Sequence, residues 1–203
     1  MKVAIIKYNA GNVQSVLYAL QRLGINALVT DDHDEIKAAD KVIFPGVGHA
    51  ASAMEYLKKR KLNNLIISLR QPVLGICLGL QLLCNFSEEG NTKCLGIFNT
   101  PVKRFDDSVF QNKNLVPVKI PHMGWNTITE LSSPLMKGIK EDSYVYFVHS
   151  YYAELSDETI ATTDYIHTYS SAMHKDNFYG VQFHTEKSAE VGERILSNFL
   201  KIK

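Results

Sequence analysis

The chain has 203 residues, with 22 Lys and Arg against 21 Asp and Glu, a formal charge of +1 and 45% hydrophobic residues. That size suits one domain, 1–203, burying its own core, and the balanced charge leaves no basic footprint for nucleic acid. No signal peptide is expected from residues 1–7, and the most apolar stretch, 73–84, is too short and glycine-rich to span a bilayer. Three cysteines without a Cys-x-x-Cys pair argue against a disulfide framework or a zinc knuckle. A soluble cytoplasmic domain without metal or cofactor is the expectation.

Residues 3–6 read as a buried strand. Val13, Val16, Leu17 and Leu20 then form one helical face, closed by Gly24. Residues 25–29 read as a second strand and 31–39 as a short polar helix. Residues 42–44 read as a third strand, stopped by Pro45-Gly46. Ala50, Ala53, Met54 and Leu57 keep helical spacing, 62–69 continues helical, 72–76 is a fourth strand and 78–84 a helix. This alternation predicts a parallel sheet covered on both faces. Residues 102–105, 116–120, 144–148, 159–162 and 179–183 are strand-like, with few helices between them, and predict antiparallel additions to that sheet. A last helix places Val191, Ile195 and Phe199 on one face. The aromatic stretch Tyr144, Tyr146, Phe147, Tyr151 and Tyr152 alternates poorly and reads as mostly core.

The most informative segment is Gly75-Ile-Cys77-Leu78-Gly79, where a buried strand runs straight into a helix. A Gly-x-nucleophile-x-Gly elbow exposes its nucleophile on a tight turn, and small flanking residues let the backbones approach. The helix start favours a thiolate, and the Leu78 N–H can face a developing oxyanion. Taken alone, the same pattern fits a buried structural cysteine equally well. Cys84 and Cys94 read as structural.

A thiolate nucleophile needs a base, and the base an orienting group. Of seven histidines, His184 stands out because it ends the apolar run 179–183 and precedes Glu186 by two residues. In an extended chain those two side chains project to the same side. A rival reading comes from Gly46-Val-Gly48-His-Ala-Ala51, which fits the G-x-G-x-x-A fingerprint of dinucleotide-binding folds. Against it, the fingerprint stands in the third strand–helix unit, and strand 72–76 offers no acidic residue to a ribose.

Gly75-Ile-Cys77-Leu-Gly79-Leu-Gln81 together with Gln182-Phe-His184-Thr-Glu186 resembles the class I (triad) glutamine amidotransferases. Further segments are similar to the glutaminase subunits that serve imidazole glycerol-phosphate synthase in histidine biosynthesis. They are Tyr8-Asn-Ala-Gly11-Asn12, Phe44-Pro-Gly46-Val47-Gly48, Pro121-His-Met123-Gly-Trp125-Asn126, Tyr146-Phe-Val-His149-Ser150-Tyr151 and Glu186-Lys187-Ser188. A related glutaminase feeding a cyclase in surface-sugar biosynthesis shares many of these motifs. The resemblance implies a three-layer α/β sandwich with a mostly parallel, flavodoxin-like sheet. It implies Cys77 as nucleophile, His184 as base and acid, and Glu186 as orienter. The oxyanion hole then draws on Val47, Gly48 and Leu78, and the L-glutamine contacts on Gly46, Gln81, Ser150 and Tyr151. The implied partner is a (β/α)8-barrel cyclase, joined as a heterodimer and met by Asn12, Met123, Trp125 and Lys187. Two departures stand out: Thr185 replaces the family's usual Pro, and Asn99-Thr100-Pro101 replaces its Pro-Gly. Thr also favours extended backbone, so the triad is expected to survive.

Overall fold

The computed structural model describes residues 1–8, 12–106 and 119–203. The first half alternates as the periodicity requires: β1 (Val3–Ile6), α1 (Val13–Arg22), β2 (Leu28–Thr30), α2 (His33–Lys37), β3 (Lys41–Gly46), α3 (Ala50–Lys59), α4 (Leu62–Ser68), β4 (Val73–Cys77) and α5 (Leu78–Leu83). Short strands β5 (Phe86–Ser87), β6 (Thr92–Lys93) and β7 (Pro101–Arg104) follow. The second half holds β8 (His122–Ile128), β9 (Ser143–His149), β10 (Tyr151–Ala153), β11 (Thr159–Asp164), β12 (Thr168–Lys175), β13 (Phe178–Val181) and α6 (Ala189–Lys201).

Among the described residues one sheet runs β2-β1-β3-β4-β13-β12-β10-β7-β5-β6, with β11 on β12. Strands β2, β1, β3, β4 and β13 are mutually parallel, and β12, β10 and β7 join antiparallel. One apolar cluster gathers Phe44, Leu57, Ile66 and Leu80, the other Ile43, Ile76, Phe147 and Phe199. Ile43 and Phe44 are successive in β3, so the two clusters cover opposite faces of the sheet. Among the described residues no helix is long and apolar enough to cross a membrane.

Several expectations are corrected. Strand β2 starts at Leu28 rather than at 25, because the Ile25 N–H closes the end of α1 on the Leu20 carbonyl at 2.9 Å, with Gly24 at φ +76°. Strand β3 continues through Pro45-Gly46, since its register with β1 ends at Ile43 and Pro45 pairs only with Ile76 of β4. The strand predicted at 179–183 does pair antiparallel with β12, but on its other edge it runs parallel to β4 and so belongs to the parallel half of the sheet. The strand at 144–148 lies in a separate two-stranded sheet with β8, a strand the motif reading did not recognise. In β9 the aromatics do alternate: Val145 and Phe147 are buried, whereas Tyr144 faces solvent. Of the strand expected at 116–120, residues 116–118 lie outside the described residues, and 119–120 are not in a strand.

Candidate active site

Cys77 ends β4 and caps α5 with φ 54° and ψ −111°, a conformation L-residues rarely hold. Its neighbours explain the glycines around it. A Cβ on Gly79 would stand 1.8 Å from the Phe44 carbonyl oxygen, and one on Gly75 2.8 Å from the backbone of Gly79 and Leu80. Strands β3 and β4 and helix α5 therefore meet backbone to backbone, which presents the sulfur at the mouth of the elbow.

The next strand in the sheet is β13, and just past its end comes His184. Its Nδ1 lies 2.7 Å from Glu186 Oε1, whose side chain is fully buried. Nδ1 therefore carries a proton toward the carboxylate, and Nε2 is left for the sulfur. Burial alone would depress the imidazole pKa, but hydrogen bonds to the Cys77 thiol and the Glu186 carboxylate raise it to about 10. The thiol and imidazole thus meet the nucleophile–base geometry, and the carboxylate orients the base. The route to this geometry differs from expectation. Thr185–Lys187 forms a 3-10 turn, so the turn, not extended alternation, brings Glu186 back to His184. Two backbone links hold it: the His184 N–H donates to the Tyr146 carbonyl at 2.9 Å, and the Ser188 hydroxyl donates to the His184 carbonyl at 2.6 Å.

A cavity of about 340 Å³ opens over the sulfur, lined by Val47, Gly48, Leu78, Gln81, Ser150, Tyr151 and Lys187 together with Cys77 and His184. Gly48 adopts φ +115°, and an added Cβ there would meet nothing, so backbone conformation is what demands glycine. Gly46 does not line the cavity. A Cβ on it would strike the Tyr8 hydroxyl at 2.1 Å. Gln81 donates both amide protons inward, to the Tyr151 carbonyl at 2.9 Å and to Gln182 Oε1 at 3.0 Å, leaving its own Oε1 as an acceptor. Gln182 Nε2 reaches Cys77 Sγ at 3.7 Å.

Asn12 is moved by the structure. Expected at a partner surface, it is half-buried and donates to Glu186 Oε1, so the carboxylate is held from two sides. Its φ of 74° is the left-handed conformation that Asn tolerates. Met123 and Trp125 stay exposed, 63% and 52%, on the outer face of the β8–β9 hairpin. Trp125 is therefore not a core anchor. It meets the Tyr146 ring edge-on at 5.9 Å, and Lys187 lies 5.8 Å from the same ring.

Sequence reasoning passed over Glu89, which lines the cavity and accepts the Ala50 N–H at 2.7 Å. That carboxylate occupies the start of α3, where a dinucleotide fold would seat its pyrophosphate. With Gly46 sealed beneath Tyr8, it removes the physical basis of the G-x-G-x-x-A reading. Cys84 and Cys94 are buried and, among the described residues, bond to nearby carbonyls. Burial pushes the Cys84 thiol well up and the Cys94 thiol to about 12, so both stay protonated.

Residues 4–202 match the family described as glutamine amidotransferase class-I. The chain belongs to that family. It is 60% identical, over the full length of both chains, to the imidazole glycerol phosphate synthase subunit HisH of Bacteroides fragilis, and 55% identical over the full length of both to that of Bacteroides thetaiotaomicron. The HisH subunit of Shewanella loihica is 48% identical, with 98% of this chain and 89% of the relative covered. Among solved structures, a Thermoplasma acidophilum protein described as a putative GMP synthase subunit superposes with a TM-score of 0.74 at 19% identity, over 99% of this chain and 92% of the other. A glutamine amidotransferase from Thermotoga maritima gives 0.63 at 17% identity, over 99% and 83%. These last two speak for the shared α/β fold.

Proposed function

We propose that the chain, as one amidotransferase domain over 1–203, is the glutaminase subunit of an imidazole glycerol phosphate synthase working in the cytoplasm. It hydrolyses L-glutamine to glutamate and ammonia and passes the ammonia to a cyclase partner, a (β/α)8 barrel, in a heterodimer. The observation that carries the reading is the alignment of Cys77 and His184 in the cavity lining, with the buried Glu186 carboxylate on the imidazole. Full-length likeness to HisH subunits favours the histidine pathway over surface-sugar amination.

The chemistry follows from the groups present. Glutamine's side-chain amide is a poor electrophile, so thiolate attack needs the oxyanion stabilised as it forms. The Leu78 N–H serves on the helix side, and an N–H of Val47 or Gly48 on the other. The sulfur bonds to the amide carbon, and protonated His184 gives its proton to the nitrogen as the C–N bond breaks. Ammonia leaves and a thioester remains on Cys77. Water then loses a proton to His184 and attacks the thioester, releasing glutamate and the thiol. The free Oε1 of Gln81 and the Glu89 carboxylate supply acceptors for the substrate's ammonium group, with Ser150 and Tyr151 lining the same cavity. In bulk water at neutral pH ammonia is mostly ammonium and not nucleophilic, so a synthetic glutaminase gains from direct transfer to its partner. The exposed Met123–Trp125 face beside Lys187 suits that docking.

Cys77→Ala is the deciding experiment. Glutamate release from the complex should fall by at least about a thousandfold, while cyclase activity on added ammonium salts persists. Undiminished glutamate release would remove the nucleophile from this reading, and loss of both activities would overturn the division of labour.

A further inference from the structure

A buried polar chain that the triad does not use runs inward from His149, which lines the cavity. His122 Nδ1, His149 Nε2 and the Tyr169 hydroxyl form a triangle with sides of 3.2, 3.2 and 3.3 Å, all three residues being buried. Its two ends are fixed by groups that cannot reverse. Asn126 accepts the Thr127 N–H on Oδ1 at 2.8 Å, so its amide cannot be flipped, and Nδ2 is the atom that faces His122 Nε2 at 3.4 Å. His122 Nε2 is therefore an acceptor, and Nδ1 carries the proton of a neutral ring. At the other end His149 Nδ1 lies 2.8 Å from the Tyr151 carbonyl and must donate, which leaves Nε2 as an acceptor. Thr163, the phenol's other polar neighbour, gives its own proton to the Thr127 carbonyl. His149 Nε2 can be satisfied directly by His122 Nδ1 at 3.3 Å or through the phenol, and the phenol path uses the two shorter contacts, 3.2 Å each: His122 donates to Tyr169, Tyr169 donates to His149 in preference to Thr163, and His149 donates to the Tyr151 carbonyl. Burial keeps both imidazoles neutral, holding His122 at about 4 and His149 at about 3.

That carbonyl is the one that receives Gln81, whose partner Gln182 touches the nucleophile. We propose that Tyr169 is a positioning residue of the glutamine site: its hydroxyl donates to His149 Nε2 and holds in place the ring whose Nδ1–H binds the Tyr151 carbonyl that orients Gln81 toward substrate. The proposal rests on the glutaminase reading given above. No hydrogen bond of this triangle reaches His184 Nδ1 or Glu186, so its effect belongs to binding rather than to the chemical step.

Two measurements test it. In the wild-type chain, 15N-resolved imidazole spectra should give His122 and His149 each as the single Nδ1–H tautomer, and an Nε2–H form at His149 would overturn the order. In the assembled enzyme, Tyr169→Phe keeps the ring and removes the hydroxyl. It should raise the KM for glutamine about five- to tenfold, with kcat within about twofold. An unchanged KM, or a loss confined to kcat, would overturn the proposal. Should the variant not fold, the 15N shift of His149 Nε2 in the wild-type chain still decides: a hydrogen-bonded acceptor nitrogen that couples to the Tyr169 hydroxyl supports the proposal, and one without that coupling would overturn it. If the wild-type complex released no glutamate, the glutaminase reading itself would fail, and the spectrum would report on the tautomers independently.

Discussion

Glu186 Oε1 accepts from His184 and from Asn12 at once, and its other oxygen has no partner among the described residues. All of the carboxylate's fixation is thus on one atom. Asn12→Gly suits the left-handed backbone and deletes the side chain that carries the amide. Hydrogen bonds to charged groups contribute about 1.5–3 kcal/mol, so kcat for glutamine hydrolysis should drop about ten- to a hundredfold at nearly unchanged KM. Steady-state kinetics of the complex reads this directly, and a rise in KM alone would place Asn12 in binding instead. The triad members were legible because each sits in a short motif whose spacing has a physical reason. Asn12, Glu89 and Gln182 were not, because their roles arise only from packing. Asn12 and Glu186 are separated by 174 positions, and Gln182 meets Cys77 because Val181 registers with Ile76 across β13 and β4.

At the scale of the element, the 3-10 turn Thr185–Lys187 decides where the base stands. Thr185 is its first residue, is buried, and has a hydroxyl without a hydrogen-bond partner among the described residues. Proline suits such a first position, and His184 before it, at φ −83° and ψ 102°, already has the extended backbone a following proline prefers. Thr185→Pro should stabilise the chain by about 0.4–1 kcal/mol, which is about 1–4 °C in Tm for this size, with glutaminase turnover retained. Calorimetry on the two proteins checks it, and a lower Tm would mean the ring does not fit. The alternating first half of the fold could be read from periodicity. In the second half β7, β9, β11, β13 and α6 could be read as well, but β8, β10 and β12 could not. In β8 the exposed Met123 and Trp125 and half-buried Asn126 hide the alternation that marks a strand.

For the whole molecule, buried imidazoles tie folding to pH. His122 and His149 titrate near 4 and 3 when folded, below the ordinary 6.5. The unfolded chain therefore binds more protons in between, and stability is complete above about 6.5 and lost as pH falls toward 4 and 3. Each ring contributes a slope of up to about 1.4 kcal/mol per pH unit. His184 acts oppositely: raised to about 10, it stabilises fully below about 6.5 and loses that contribution as pH rises toward 10. Tm should peak near neutrality and decline on both sides. A flat Tm between pH 6.5 and 5 would contradict the acid limb. The same architecture gives one of the reacting pair a second support. Cys77 ends β4 and His184 follows β13, its parallel neighbour in the large sheet, but the His184 backbone is also bonded to Tyr146 of the two-stranded one. A lone two-stranded sheet is marginal in water, and this one is braced from below by Val145, Phe147 and Ile128. Alignment of sulfur and imidazole consequently answers to both sheets, since the smaller one reaches the base through Tyr146 and the sulfur through the Val148 carbonyl.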